Sequence, residues 1–209
     1  HVAQDVVRCP PDQRALPLNG AYTAFATGAG VHVYIIDTGI LLTHADFGGR
    51  ASFGFDAIHD GNGMTDCNGH GTHVSGTAGG ATYGVAKGMA IVGVRVLNCA
   101  GSGTNAGVIA GIDWVRINAI KPAVANMSLG GGFSQALNTA VANAVAAGIV
   151  FSISAGNSSI DAMKQLTRPS TSRRPSLALA GTCESMRTPN PSETASVLMS
   201  AGGPVSRND

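Results

Sequence analysis

An apolar run closed by an acid, Val33-Tyr34-Ile35-Ile36-Asp37-Thr38-Gly39, limits most strongly what this chain can become. Four apolar residues in succession, three of them β-branched, suit a strand buried on both faces, as in a parallel sheet covered by helices. The acid that follows is delivered at the strand's carboxyl end, the edge where open α/β sheets build their sites. Taken alone, an Asp after a strand is more often a turn or cap residue, so its context matters.

That context alternates strand with helix up to residue 157. Strands are predicted at Val31–Asp37, Ala90–Leu97, Val124–Met127 and Ile149–Ser154. Helices are predicted from about His70, over Thr104–Ala119 and over Gln135–Ala147. The sum is an α/β fold, a doubly wound parallel sheet with helices on both faces. In the second helix Val108, Ile109, Ile112, Val115 and Ala119 recur at three- and four-residue steps, which sets one face against the sheet, with Trp114 at its rim.

A second glycine-framed segment, Asn68-Gly69-His70-Gly71-Thr72-His73, precedes a run of small residues, Val74-Ser75-Gly76-Thr77-Ala78, able to pack closely as a helix. An imidazole at a helix start, within reach of a buried carboxylate, has the fixed tautomer and orientation a general base needs. His70 and His73 at i, i+3 are also a conceivable metal pair, but no acid stands between them as in a His-Glu-x-x-His helix.

Together with Val124-Ala125-Asn126-Met127-Ser128-Leu129-Gly130-Gly131-Gly132 and Ser154-Ala155-Gly156-Asn157, these blocks resemble the subtilisin-like serine proteases, in particular their proteinase K and aqualysin-like branch. Tyr83-Gly84-Val85-Ala86-Lys87 and Val94-Arg95-Val96-Leu97-Asn98-Cys99 fall between them in matching order. The resemblance implies a secreted, extracellular endopeptidase of broad specificity. It makes Asp37 the orienting acid, His70 the general base and Asn157 the side-chain donor of an oxyanion hole. It makes Gly101-Ser102-Gly103 and Ser128-Leu129-Gly130 the two segments that clamp an extended peptide or protein substrate through main-chain hydrogen bonds, with Ala155 and Gly156 lining the first side-chain pocket. It also implies a disulfide between Cys67 and Cys99, in keeping with an oxidising compartment. Cys9 and Cys183 have no counterpart in it, and whether they are free or joined stays open. Asp12, Gln13 and Asn19 resemble part of an amino-terminal calcium loop; Cys9 stands where another acid would be needed, so a solvated turn competes with a structural calcium ion. No other cofactor is implied.

Composition adds exclusions. A net charge of +1 gives no electrostatic case for nucleic acid, and no apolar stretch is long enough to span a membrane. A monomer is expected. His1 opens no signal-peptide pattern, so a mature form or a fragment is expected.

Beyond Asn157 the sequence changes character. Residues 158–209 hold five of the nine prolines and no aromatic residue, and this reads as a tail distinct from the domain at 1–157. The family's nucleophile block does not stand at its implied distance. Gly181-Thr182-Cys183-Glu184-Ser185-Met186-Arg187-Thr188-Pro189 approximates it if Cys183 and Glu184 are inserted, which makes Ser185 the candidate nucleophile, although Pro189 and Pro191 break the helix that should follow. Three accounts are open: a protease with a rearranged carboxyl part, a non-catalytic peptide-binding relative, and a truncated or frame-shifted product without function.

Overall fold

A computed structural model describes residues 26–154 and the backbone of residues 198–200. The apolar run forms strand β1, His32–Asp37, flanked on both sides in the sheet. One neighbour is β3, Ala90–Arg95; the other is β4, Ala123–Met127. Strand β2, Ala51–Asp56, pairs outside β3, and β5, Val150–Ser154, pairs outside β4. A short strand β6, Leu198–Ser200, lies beside β5, giving the order β2-β3-β1-β4-β5-β6 with every pairing parallel. Apart from β6, the predicted boundary at residue 157 and the tail beyond it lie outside the described residues.

Alternate side chains of β1 enter two different cores, which is why the run contains no polar residue. Tyr34 and Ile36 join Val92 and Val94 beneath helices α2, Asn105–Asn118, and α3, Gln135–Ala146. Val33 and Ile35 join Ile91, Met89 and Phe47 on the opposite face, where Val74 and Ala78 of helix α1, His70–Gly79, cover them. The helices therefore lie on both faces, as predicted. Thr104 and Ser134 cap α2 and α3, each hydroxyl accepting a backbone N–H three residues on. Val108, Ile112 and Val115 form the buried face of α2 with Gly111 between them, and Trp114 lies at the rim of that core, as the periodicity suggested.

The sequence reading contains neither β2 nor the short β6, which falls in the stretch it takes as a tail. β2 is the longer of the two. Its register shifts between Phe53 and Phe55, and Phe53 is 45% exposed, so neither a continuous apolar run nor a regular alternation marks it. Gly54 at the irregularity lies under the Trp114 ring, where an added Cβ would come within 2.8 Å of two ring carbons. Phe55 stacks on the same indole at a centroid distance of 6.1 Å.

Candidate active site

The parallel arrangement delivers the carboxyl ends of β1, β3 and β4 to one edge, and β1 brings Asp37 there in complete burial. Helix α1 begins at His70 close beside it. The close approach depends on Gly71, because a Cβ there would stand 2.1 Å from the Gly39 carbonyl oxygen. The result is a contact of 2.7 Å between His70 Nδ1 and Asp37 Oδ1, which also accepts the Thr38 N–H at 2.7 Å.

Burial pushes the Asp37 carboxyl above its ordinary range; the hydrogen bond and charge of His70, with the Thr38 contacts, counter that rise only in part. Asp37 Oδ2 is buried without a hydrogen-bond partner among the described residues. The His70 side chain, by contrast, is 46% exposed. With an ionised Asp37 accepting at Nδ1, the network assigns the imidazole proton to that nitrogen and leaves the lone pair on Nε2. A base fixed in this tautomer can take a proton from a group in the adjoining space.

That space is a cleft of about 440 Å³. Gly101, Ser102 and Gly103 line it as a first wall and Ser128, Leu129 and Gly130 as a second, and His70 and Asn68 border the same space. Asn98 shapes the first wall, its side-chain oxygen accepting the N–H groups of Ala100 and Ser102 at 2.9 and 3.0 Å. The second wall is tied to β5 by the Ser154 hydroxyl, which donates to the Leu129 carbonyl at 2.7 Å. Both walls are rich in main chain, so an extended chain could bind by its backbone whatever its side chains.

Two further devices hold the histidine loop. Cys67 and Cys99 form a disulfide, and Asn68 Nδ2 donates to the Cys99 carbonyl at 2.9 Å, joining this loop to the first wall. Arg95, fully buried at the end of β3, makes two 2.8 Å hydrogen bonds to the Asp60 carboxylate and one of 2.7 Å to the Gly63 carbonyl. The Arg95 guanidinium, aided by the Asn62 contacts, holds the Asp60 carboxyl far below the usual range despite an opposing contribution from burial. Arg95, Asp60, Thr38 and Asp66 carry no role in the sequence reading. A lone charge in the apolar run Val92-Gly93-Val94-Arg95-Val96 was the available signal for the first of them.

Among the described residues, no group of three or more His, Cys, Asp or Glu side chains is placed to hold a metal ion. No described helix is long and apolar enough to cross a membrane. Ser185, Asn157, Ala155, Gly156, Asp12, Gln13, Asn19, Cys9 and Cys183 lie outside the described residues.

The sequence pattern of the Subtilase family matches residues 28–204. The chain belongs to the subtilase family. Over 151 residues it is 63% identical to an extracellular serine proteinase of Thermus sp. (strain Rt41A), covering 72% of this chain and 37% of that protein. It is 57% identical over 151 residues to alkaline serine exoprotease A of Vibrio alginolyticus, covering 72% of this chain and 28% of that protein. The chain thus spans little more than a third of one relative and less than a third of the other. Its fold is similar to the crystal structure of a cold adapted subtilisin-like serine proteinase, with a TM-score of 0.72, 56% identity, and coverage of 74% of this chain and 56% of that one. In this subtilase the Cys67–Cys99 bridge ties together two segments that border the cleft at Asn68 and Gly101.

Proposed function

We propose that this chain carries the acid, the base and the peptide-binding cleft of a secreted serine endopeptidase that works through an acyl-enzyme, and that turnover by the chain as it stands is very weak at most. The observation behind this reading is the 2.7 Å contact between a fully buried Asp37 and a half-exposed His70 beside a cleft walled by main chain. Family membership and the extracellular Thermus relative support the secreted setting, and the disulfide suits an oxidising compartment.

In this mechanism an extended peptide or protein substrate lies between Gly101-Ser102-Gly103 and Ser128-Leu129-Gly130. Ser185, the assigned nucleophile, gives its hydroxyl proton to His70 Nε2 as Oγ bonds to the scissile carbonyl carbon. Asp37 holds the imidazole and stabilises the imidazolium without taking its proton. The Asn157 side chain donates to the oxyanion, and loss of such a donor typically lowers turnover by about 10²–10³. The carbon–nitrogen bond then breaks, the leaving amine takes the proton from Nε2, and water releases the acyl group by the same proton path. Ala155 and Gly156 line the first side-chain pocket. Turnover is weak in this reading because the sequence puts Pro189 and Pro191 where the resemblance implies a long helix behind Ser185, and a displacement of about 1 Å can lower the rate by about 10².

A fluorophosphonate probe tests the assignment. Slow labelling at Ser185, abolished by Ser185→Ala and by His70→Ala, is expected. Peptide binding with no serine labelled would overturn the catalytic reading in favour of a binding module; rapid stoichiometric labelling would overturn only its claim of weak turnover.

A further inference from the structure

We infer that Asp66 is a positioning residue, whose carboxylate sets the register between the strand that carries Asp37 and the helix that carries His70. The inference rests on the reading of those two residues as orienting acid and base, and it assigns a task to a third carboxylate that the mechanism leaves unused.

The Asp66 carboxylate is an acceptor on both oxygens. Oδ1 accepts the Thr38 hydroxyl at 2.9 Å and the N–H groups of Asn68 and Gly69 at 3.1 and 2.8 Å. Oδ2 accepts the Thr72 N–H at 2.8 Å and its hydroxyl at 2.6 Å. The Thr38 oxygen in turn accepts the Gly71 N–H at 2.9 Å. The backbone N–H groups of residues 69, 71 and 72 are therefore all fixed, directly or through Thr38, to one carboxylate. Residue 38 is the covalent neighbour of Asp37. Asp66 thus grips both partners of the Asp37–His70 contact through their immediate neighbours, while forming no hydrogen bond to either.

The donors dictate the residue type. Each Asp66 oxygen faces at least one backbone N–H, which cannot be turned round to accept, so an amide in place of the carboxylate must set one NH₂ against a fixed donor. Burial alone would raise the Asp66 carboxyl, but the Thr72 hydroxyl and the surrounding N–H groups outweigh it and hold the group below its ordinary value, ionised at neutral pH. An ordinary helix cap needs only a side-chain oxygen near the first turn. The link across to Thr38 is the additional feature, and it joins the helix to the catalytic strand.

The imidazole tautomer gives a readout that needs no turnover. Long-range proton–nitrogen correlation spectra of the full chain are expected to show His70 in the Nδ1–H form. Asp66→Asn and Thr38→Val should each shift it toward the Nε2–H form or a mixture, with far-UV circular dichroism unchanged. Thr38→Ser, which keeps the hydroxyl, should retain the original tautomer. If His70 keeps the Nδ1–H form in both disrupted variants, Asp66 is not a positioning residue although the Asp37–His70 pair stands. If the wild-type chain lacks the Nδ1–H form, the pair itself fails and the inference falls with it. Loss of the fold in both disrupted variants, with Thr38→Ser folded, would assign the network to stability and also overturn the inference.

Discussion

Asp37 and Arg95 end neighbouring strands in direct register, and both side chains are fully buried, yet the fold treats their charges in opposite ways. Arg95 is neutralised by a two-pronged pair with Asp60 and satisfied further by the Gly63 carbonyl, leaving only Nε without a partner among the described residues. Asp37 has one oxygen engaged and the other without a partner among those residues, and the side chain that meets it is the His70 imidazole. Arg95 is matched as a structural charge needs to be, whereas Asp37 is left partly unmatched toward one neighbour, as the role proposed for it requires. The difference separates two groups that sequence patterning alone would class together.

Removing Arg95 should therefore have the larger effect on stability. Arg95→Ala empties a buried position and releases the segment around Asp60 and Gly63, and we expect a loss of about 3 kcal/mol in chemical denaturation. A loss below about 1 kcal/mol would mean that the pair contributes little and would erase the contrast. Replacing both Cys67 and Cys99 by serine should cost about 2–4 kcal/mol, since the bridge closes a loop with a sequence separation of 32. Because the same bridge fastens the histidine loop to the Gly101 wall, peptide affinity should fall with it; unchanged affinity would detach the bridge from the cleft.

Asp37→Asn should move stability the other way. The folded-state carboxyl is raised, so its favourable contribution is complete below the ordinary value of 3.8 and is lost as pH rises through the folded value. At neutral pH the ionised group therefore opposes folding, and the amide should leave stability equal or higher by no more than about 1 kcal/mol while removing the orienting acid. A large destabilisation would show that Asp37 is structural, as Arg95 is. Asp66 obeys the reverse sign: its folded-state carboxyl is lowered, so its contribution is present above 3.8 and fades as pH falls below that value. Acidification through this window should loosen the start of α1 before the α2 core, a difference that hydrogen exchange can resolve.

The unequal treatment also explains how much of the molecule was legible in advance. β1, α2 and α3 were readable because their burial imposes unbroken or periodic patterns, and Asp37 and His70 because close glycines frame them. β2 was not readable, since Gly54, a register shift and the exposed Phe53 erase its alternation. Arg95 was visible as an anomaly, but its partner stands 35 residues earlier in a turn with no pattern of its own. Asp66 sits inside a legible motif and resembles any loop acid until the fold brings Thr38 to it from 28 residues away. The Cys67–Cys99 pairing came from family likeness rather than from anything in the spacing.

The contrast between the two strand ends is tested most directly by titrating the carboxyl carbons of Asp37 and Asp60 in one labelled sample by carbon NMR. Asp37 should titrate above the ordinary value of 3.8, because burial outweighs its hydrogen bonds, and Asp60 should stay ionised well below it, because Arg95 grips it. Asp37 titrating at or below 3.8 alongside Asp60 would contradict the account, since the end of β1 would then hold a carboxylate as fully matched as the one that Arg95 grips.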